Sequence, residues 1–150
     1  AEQIKATQKM VNDLTGKWGK FVEGLVAPGA IRMFRERGVN IERTSQRVIA
    51  QKGGENMEID VLCVNDEDVL AIEVKSTLSV DDVKEHIERL RSFKRFFPEY
   101  QEKSVLGAVA GIVFEGGSDK FAYKQGLFVI GQTGETVHIL NDERFTPRAW

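Results

Sequence analysis

With 150 residues, of which 41% are hydrophobic, 29% charged and 9% aromatic, the chain has the size and composition of one globular domain that buries about 70% of its unfolded surface. That excludes a disordered tail and a mini-protein, and a formal charge of −2 argues against a uniformly basic nucleic-acid binder. No apolar run reaches the roughly 18 residues of a membrane span, and the opening AEQIKATQKM lacks the cationic-then-apolar order of a secretory leader. No membrane partner is therefore expected, and the expected compartment is cytoplasmic.

Cys63 is the single cysteine and His86 and His138 are the two histidines, too few for an internal disulfide or a Cys/His zinc site, so any metal must be held mainly by carboxylate oxygen. The charge is unevenly spread. Residues 1–54 carry a balance of +5 and residues 55–150 one of −7. Lys17, Lys20, Arg32, Arg35, Arg37, Arg43, Arg47 and Lys52 can form a surface that tracks phosphates, or can be ordinary solvated side chains.

Ile4, Val11, Leu14, Trp18, Phe21 and Leu25 follow heptad spacing along a first helix, which reads either as an amphipathic helix docked on its own domain or as an intermolecular coiled coil. Self-association as a homodimer follows from the second reading. Pro28 and Gly29 are expected to interrupt this helix, and a second piece through Ile31, Met33 and Phe34 to stop at Gly38. The segment 39–51 reads as a strand entering a hairpin at Gly53-Gly54. MEIDVLCV and VLAIEVKS are further strands joined by the polar turn Asn65-Asp66-Glu67-Asp68, completing a three-strand meander. Ser79 with Asp82 is a capping box for a helix whose stripe is Val80, Val83, Ile87, Leu90, Phe93 and Phe97, ended by Pro98. VLGAVAGIVF reads as a central strand covered on both faces, with Gly107 and Gly111 marking close packing against a helix; a short helix near 119–125, the strand LFVI and the strand TVHIL follow. The order αβββαβαββ is that of a mixed α/β sheet flanked by helices. No Gly-x4-Gly-Lys-Ser/Thr phosphate loop is present.

Strand alternation puts Glu58 and Asp60 on one face of MEIDVLCV and Ile59, Val61 and Cys63 on the other. On VLAIEVKS it puts Glu73 and Lys75 with Ala71, opposite Leu70, Ile72 and Val74. If the two strands pair through the Asn65–Asp68 turn, Asp60 meets the region of Glu73, and two acids and an amine gather at one sheet end. A hard cation such as Mg²⁺ takes carboxylate oxygen and acidifies water for attack on phosphorus. A lysine beside it can orient or deprotonate that water, or offset charge on the phosphoryl oxygens. The competing reading is a solvated Glu-x-Lys ion pair of little consequence.

Asp60 on one strand, then Glu73-Val74-Lys75 on the next, followed by a helix and a buried strand and preceded by Glu23 in a helix, resembles the PD-(D/E)XK, or restriction endonuclease-like, nuclease superfamily. The likeness covers roughly residues 17 to 115 and is similar in style to archaeal Holliday-junction resolvases and uncharacterised prokaryotic members; Ile59 stands where the superfamily name has proline. The resemblance implies a nuclease core over residues 28–150, with residues 1–27 as an N-terminal amphipathic helix of the same domain. It implies that Asp60 and Glu73 ligate a catalytic Mg²⁺, with Mn²⁺ as a substitute, and that the Val74 carbonyl is a further ligand. Lys75 then serves the attacking water and Glu23 completes the acidic site, with Glu36 as its alternative; Lys84, His86 or Glu88 are candidates for a further polar group. His86 also reads as a satisfied structural histidine at the edge of the helix stripe. The implied activity is endonucleolytic hydrolysis of duplex or branched DNA to 5′-phosphate and 3′-hydroxyl ends. The rival is a catalytically inactive module of the same fold that binds nucleic acid or protein.

Overall fold

The computed structural model describes residues 24–150. Helix α1 (its described part is 24–35) is followed by β1 (Arg43–Lys52), β2 (Glu55–Val64), β3 (Asp68–Leu78), α2 (Val80–Phe96), a 3-10 turn (Pro98–Tyr100), β4 (Ser104–Phe114), α3 (Ser118–Lys124), β5 (Phe128–Thr133) and β6 (Thr136–Ile139). The six strands form one sheet in the order β1-β2-β3-β4-β5-β6. β1, β2 and β3 are an antiparallel meander, β3, β4 and β5 are parallel, and β6 returns antiparallel to β5. This is a mixed α/β fold with flanking helices, as the alternation of periods in the sequence predicts. No helix among the described residues is long and apolar enough to cross a membrane.

The sheet is the middle of three layers. Val26, Ala27, Ala30, Met33 and Phe34 of α1 pack with Val61, Cys63, Leu70, Ile72, Ala108 and Ile130 on one face. Val83, Ile87, Leu90, Phe93 and Phe96 of α2 pack with Leu62, Val64, Val69, Ala71, Val109 and Val129 on the other. Being covered on both sides, β4 has no polar face, which is why its sequence runs apolar without alternation. α2 begins at Ser79, whose hydroxyl accepts from the Asp82 N–H (3.1 Å) while the Asp82 carboxylate accepts from the Ser79 N–H (2.9 Å), and it stops short of Pro98. Close approach of α2 to β4 needs Gly107, where a Cβ would lie 2.4 Å from Leu90 Cδ1 and 2.7 Å from Leu127 Cδ2.

Two expectations are corrected. α1 runs through Pro28 and Gly29 without interruption and ends in a turn at Gly38, whose φ of +82° is the left-handed cap position. Pro28 is exposed, and buried residues before and after it pin the helix to the sheet, which outweighs one missing hydrogen bond. On β2, Ile59 does not share a face with Val61 and Cys63. It packs on the α2 side with Leu62 and Val64, whereas Val61 and Cys63 face α1. The alternation breaks because Gln46 pairs with Val61 and Val48 with Ile59 while the ladder skips the Arg47–Asp60 position between them, and Arg47 has a φ of +53°. A left-handed residue turns the β1–β2 ribbon over at that point, so its outer half follows α2, where Arg95 pairs with Glu55 (2.6 Å). The heptad residues before Leu25, with Lys17, Lys20 and Glu23, lie outside the described residues.

Candidate active site

The sheet forks at the residues singled out in the sequence. β2 and β3 pair from Val64↔Val69 down to Val61↔Ile72 and no further. Beyond that rung β2 stays with β1 and β3 stays with β4, so the two strands part between Asp60 and Glu73. A forked sheet leaves backbone donors without a strand partner, and such donors must be satisfied some other way. Here the Val74 N–H is taken by Asp60 Oδ2 at 2.8 Å. Asp60 is thereby fixed across the fork, and its carboxyl adjoins that of Glu73 within hydrogen-bonding contact. Lys75, on the same face of β3, lies close enough for its charge to act on Glu73, and its Nζ is 3.7 Å from Asp82 Oδ1 in the first turn of α2.

Glu73, Lys75 and Ala71 thus share the α2 side of β3, as alternation predicts, and Asp60 joins them there. α2 contributes a further group that the sequence reading passed over. Arg89 forms an ion pair with Glu73 Oε2 through Nη2, and its Nε donates to His86 Nδ1 at 3.4 Å. His86 is buried and its Nε2 donates to the Ala71 carbonyl at 3.0 Å. It is the satisfied structural histidine expected at the edge of the stripe. Asp82, His86 and Arg89 are spaced i, i+4 and i+7, one line along a helix, and that spacing was the available signal.

The electrostatics follow from burial at the fork. Desolvation pushes the Glu73 carboxyl up to about 8; Arg89 pulls it down, the adjoining Asp60 charge raises it and Lys75 lowers it again. Burial also holds His86 neutral, with its pKa lowered to about 4, and the Arg89 cation acts in the same direction. Burial raises the Asp82 pKa, but the hydrogen bonds from Ser79 and the charge of Lys75 outweigh it and the net shift is downward. Burial pushes the Cys63 thiol up to about 12, so it is no nucleophile at neutral pH.

The remaining candidates lie elsewhere. Glu36 pairs with Arg32 at 3.7 Å with both side chains exposed, Glu88 pairs with Arg91 at 2.6 Å, and Lys84 is exposed. Arg37 is not available to phosphates: its guanidinium donates to the carbonyls of Ile139, Asn141 and Asp142 and ties the end of α1 to the C-terminal segment. Among the described residues no group of three or more His, Cys, Asp or Glu comes together to hold a metal. The fork brings together two carboxyls, hard oxygen donors of the kind a cation retaining most of its waters takes. A buried acid whose proton is favoured by a neighbouring carboxylate is also one at which a divalent cation can replace that proton.

No protein-family model and no curated protein matches the sequence. Among solved structures, the chain is similar to a repair endonuclease from Pyrococcus abyssi, with 21% identity and a TM-score of 0.51 over 71% of this chain and 45% of that one. It is also similar to a protein of unknown function, AF1548, with 19% identity and a TM-score of 0.50 over 68% of this chain and 54% of that one. The chain spans about half the length of each. At such identity the likeness is one of fold, the mixed α/β sheet with its flanking helices.

Proposed function

We propose that the chain is a metal-dependent nuclease of the PD-(D/E)XK type that hydrolyses phosphodiester bonds of duplex or branched DNA endonucleolytically. The observation that carries this reading is the fork, which sets Asp60 beside Glu73 with Lys75 on the same strand face. The shared fold with a repair endonuclease supports it. Asp60 and Glu73 would hold Mg²⁺ or Mn²⁺ together with the Val74 carbonyl, and Glu23 is a further proposed ligand. When bound, that cation supplies the Lewis acidity that readies water for attack on phosphorus. Asp60 is oriented by the Val74 N–H through Oδ2, and its second oxygen, Oδ1, would be the one to meet the cation. The Lys75 ammonium, steered by Asp82, places positive charge at the exposed edge of the pair, where it can draw a scissile phosphate in and offset charge building on its oxygens.

The test is cleavage of plasmid, single-stranded and branched DNA with Mg²⁺ or Mn²⁺. Asp60→Ala and Glu73→Ala are each expected to lose about a hundredfold or more, because several kcal/mol of transition-state stabilisation go with the cation. Equal cleavage by wild type and the double variant removes the proposal. One observation favours a second reading, a catalytically inactive module of the same fold: Arg89 and Lys75 already set two positive charges beside the two carboxyls. That reading expects no heat on Mn²⁺ titration of the wild-type protein.

A further inference from the structure

We infer that Arg89 is a positioning residue for Glu73 and that His86 acts through it. The inference rests on the proposed seating of a divalent cation by Asp60 and Glu73. Glu73 is only 8% exposed, and the hydrogen bond from Arg89 goes to one of its oxygens, Oε2, so that Arg89 grips the carboxyl at a single edge. Arg89 is itself held at its other edge, where its Nε donates to His86 Nδ1 at 3.4 Å. His86, 1% exposed, is in turn tied through Nε2 to the carbonyl of Ala71 at 3.0 Å. Ala71 is two residues before Glu73 on β3, so the contacts close a ring that leaves the strand at Ala71 and returns to it at Glu73.

A ring of this kind fixes the carboxylate plane relative to its own strand. It needs the planar guanidinium, bonded at two edges at once, which a lysine ammonium cannot reproduce. Groups that grip a metal ligand from behind in this way orient it and set its affinity for the ion.

The ring also separates two roles that predict opposite signs. Were Arg89 a counter-charge standing in for the cation, its removal would relieve repulsion and tighten cation binding. A positioning residue, once removed, leaves Glu73 free to turn and weakens binding.

Mn²⁺ is titrated by calorimetry, and free Mn²⁺ by electron paramagnetic resonance, into the wild-type chain and into Arg89→Gln, Arg89→Lys, His86→Gln and the Arg89→Gln, His86→Gln double variant. Gln at position 86 can still donate to the Ala71 carbonyl while lacking the ring nitrogen that meets Arg89. Arg89→Gln is expected to raise the Mn²⁺ dissociation constant about tenfold or more. Arg89→Lys and His86→Gln are expected to raise it by less, and the double variant to be no worse than Arg89→Gln alone, the signature of one residue acting through another. Tighter or unchanged binding in Arg89→Gln overturns the inference and leaves the metal-dependent reading in place. Should Arg89→Gln fail to fold, unchanged binding in both Arg89→Lys and His86→Gln overturns it equally. A wild-type chain that binds no Mn²⁺ removes the metal-dependent reading and this inference with it.

Discussion

Burial leaves His86 with one workable protonation state. Its Nε2–H is given to the Ala71 carbonyl and its Nδ1 receives from Arg89, so a second proton would set two donors against each other with no water to intervene. The unfolded chain takes that proton near the ordinary 6.5, the folded chain only near 4. Stability from this group is therefore full above about 6.5 and is lost as the pH falls, because the unfolded state binds more protons across that window. Between pH 7.5 and pH 5 the loss is about 2 kcal/mol. Glu73 acts in the opposite sense. Its carboxyl is raised from 4.5 to about 8 on folding, so its contribution is present at acid pH and lost as the pH climbs through that range. Urea unfolding of wild type and His86→Gln at both pH values isolates the histidine: the difference between the two proteins is expected to shrink by about 2 kcal/mol on acidification. At this scale strand alternation counted outward from the Val61–Ile72 rung put Asp60, Glu73 and Lys75 on one side of the sheet, as the structure has them, but it did not show that Asp60 leaves its ladder to meet the Val74 N–H. Arg89 stayed hidden, since its role depends on how deeply α2 seats against β3, which no spacing on a single element reveals.

The β1–β2 ribbon shows where pattern reading of an element fails. Its register is regular on both sides of Arg47, yet its faces exchange there, because one residue adopts φ = +53° with no glycine to announce it. A left-handed conformation costs a residue with a Cβ about 1–2 kcal/mol, and strain of that kind persists where the surroundings demand it. The demand here is geometric: the skipped rung lies opposite Asp60, the residue that must turn from its ladder to reach the Val74 N–H. Asn tolerates this region and a β-branched residue does not. Arg47→Val is accordingly expected to be about 1–2 kcal/mol less stable than Arg47→Asn in urea unfolding. Both variants lack the arginine side chain, and the higher strand propensity of Val works against the expected sign, so a less stable Val variant reports the left-handed backbone. α1 illustrates the converse, a breaker overruled: Pro28 signals a stop, but burial of Val26, Ala27, Ala30, Met33 and Phe34 against the sheet holds the helix through it. Where burial and capping agreed, as in α2 with its Ser79–Asp82 box and apolar stripe, element and boundaries were legible to within a residue or two.

Across the whole molecule, the succession αβββαβαββ was legible because each change of period marks a change of element, and the two-sided burial of β4 was legible from its unbroken apolar run. The fork was not, because parting of two strands depends on which third and fourth strands they prefer, a property of the assembled sheet. The order of strands across that sheet has its own consequence. Every strand lies beside its neighbour in sequence, so no pairing has to span an intervening strand, the β1–β2 and β2–β3 hairpins close through short turns, and β2, β3 and α2, which hold Asp60, Glu73, Lys75, His86 and Arg89, form one continuous stretch of chain. Low entropy of closure favours early association of such a stretch. β5, β6 and the C-terminal segment, stitched on by Asn141 to Val129 and Leu127 and by the Trp150 N–H to Val105, add on afterwards. In pulse-labelling hydrogen exchange during refolding, amides of β2, β3 and α2 are expected to gain protection ahead of those in β5 and β6, so that the segments bearing Asp60, Glu73 and Arg89 take shape while the far edge of the protein is still unformed.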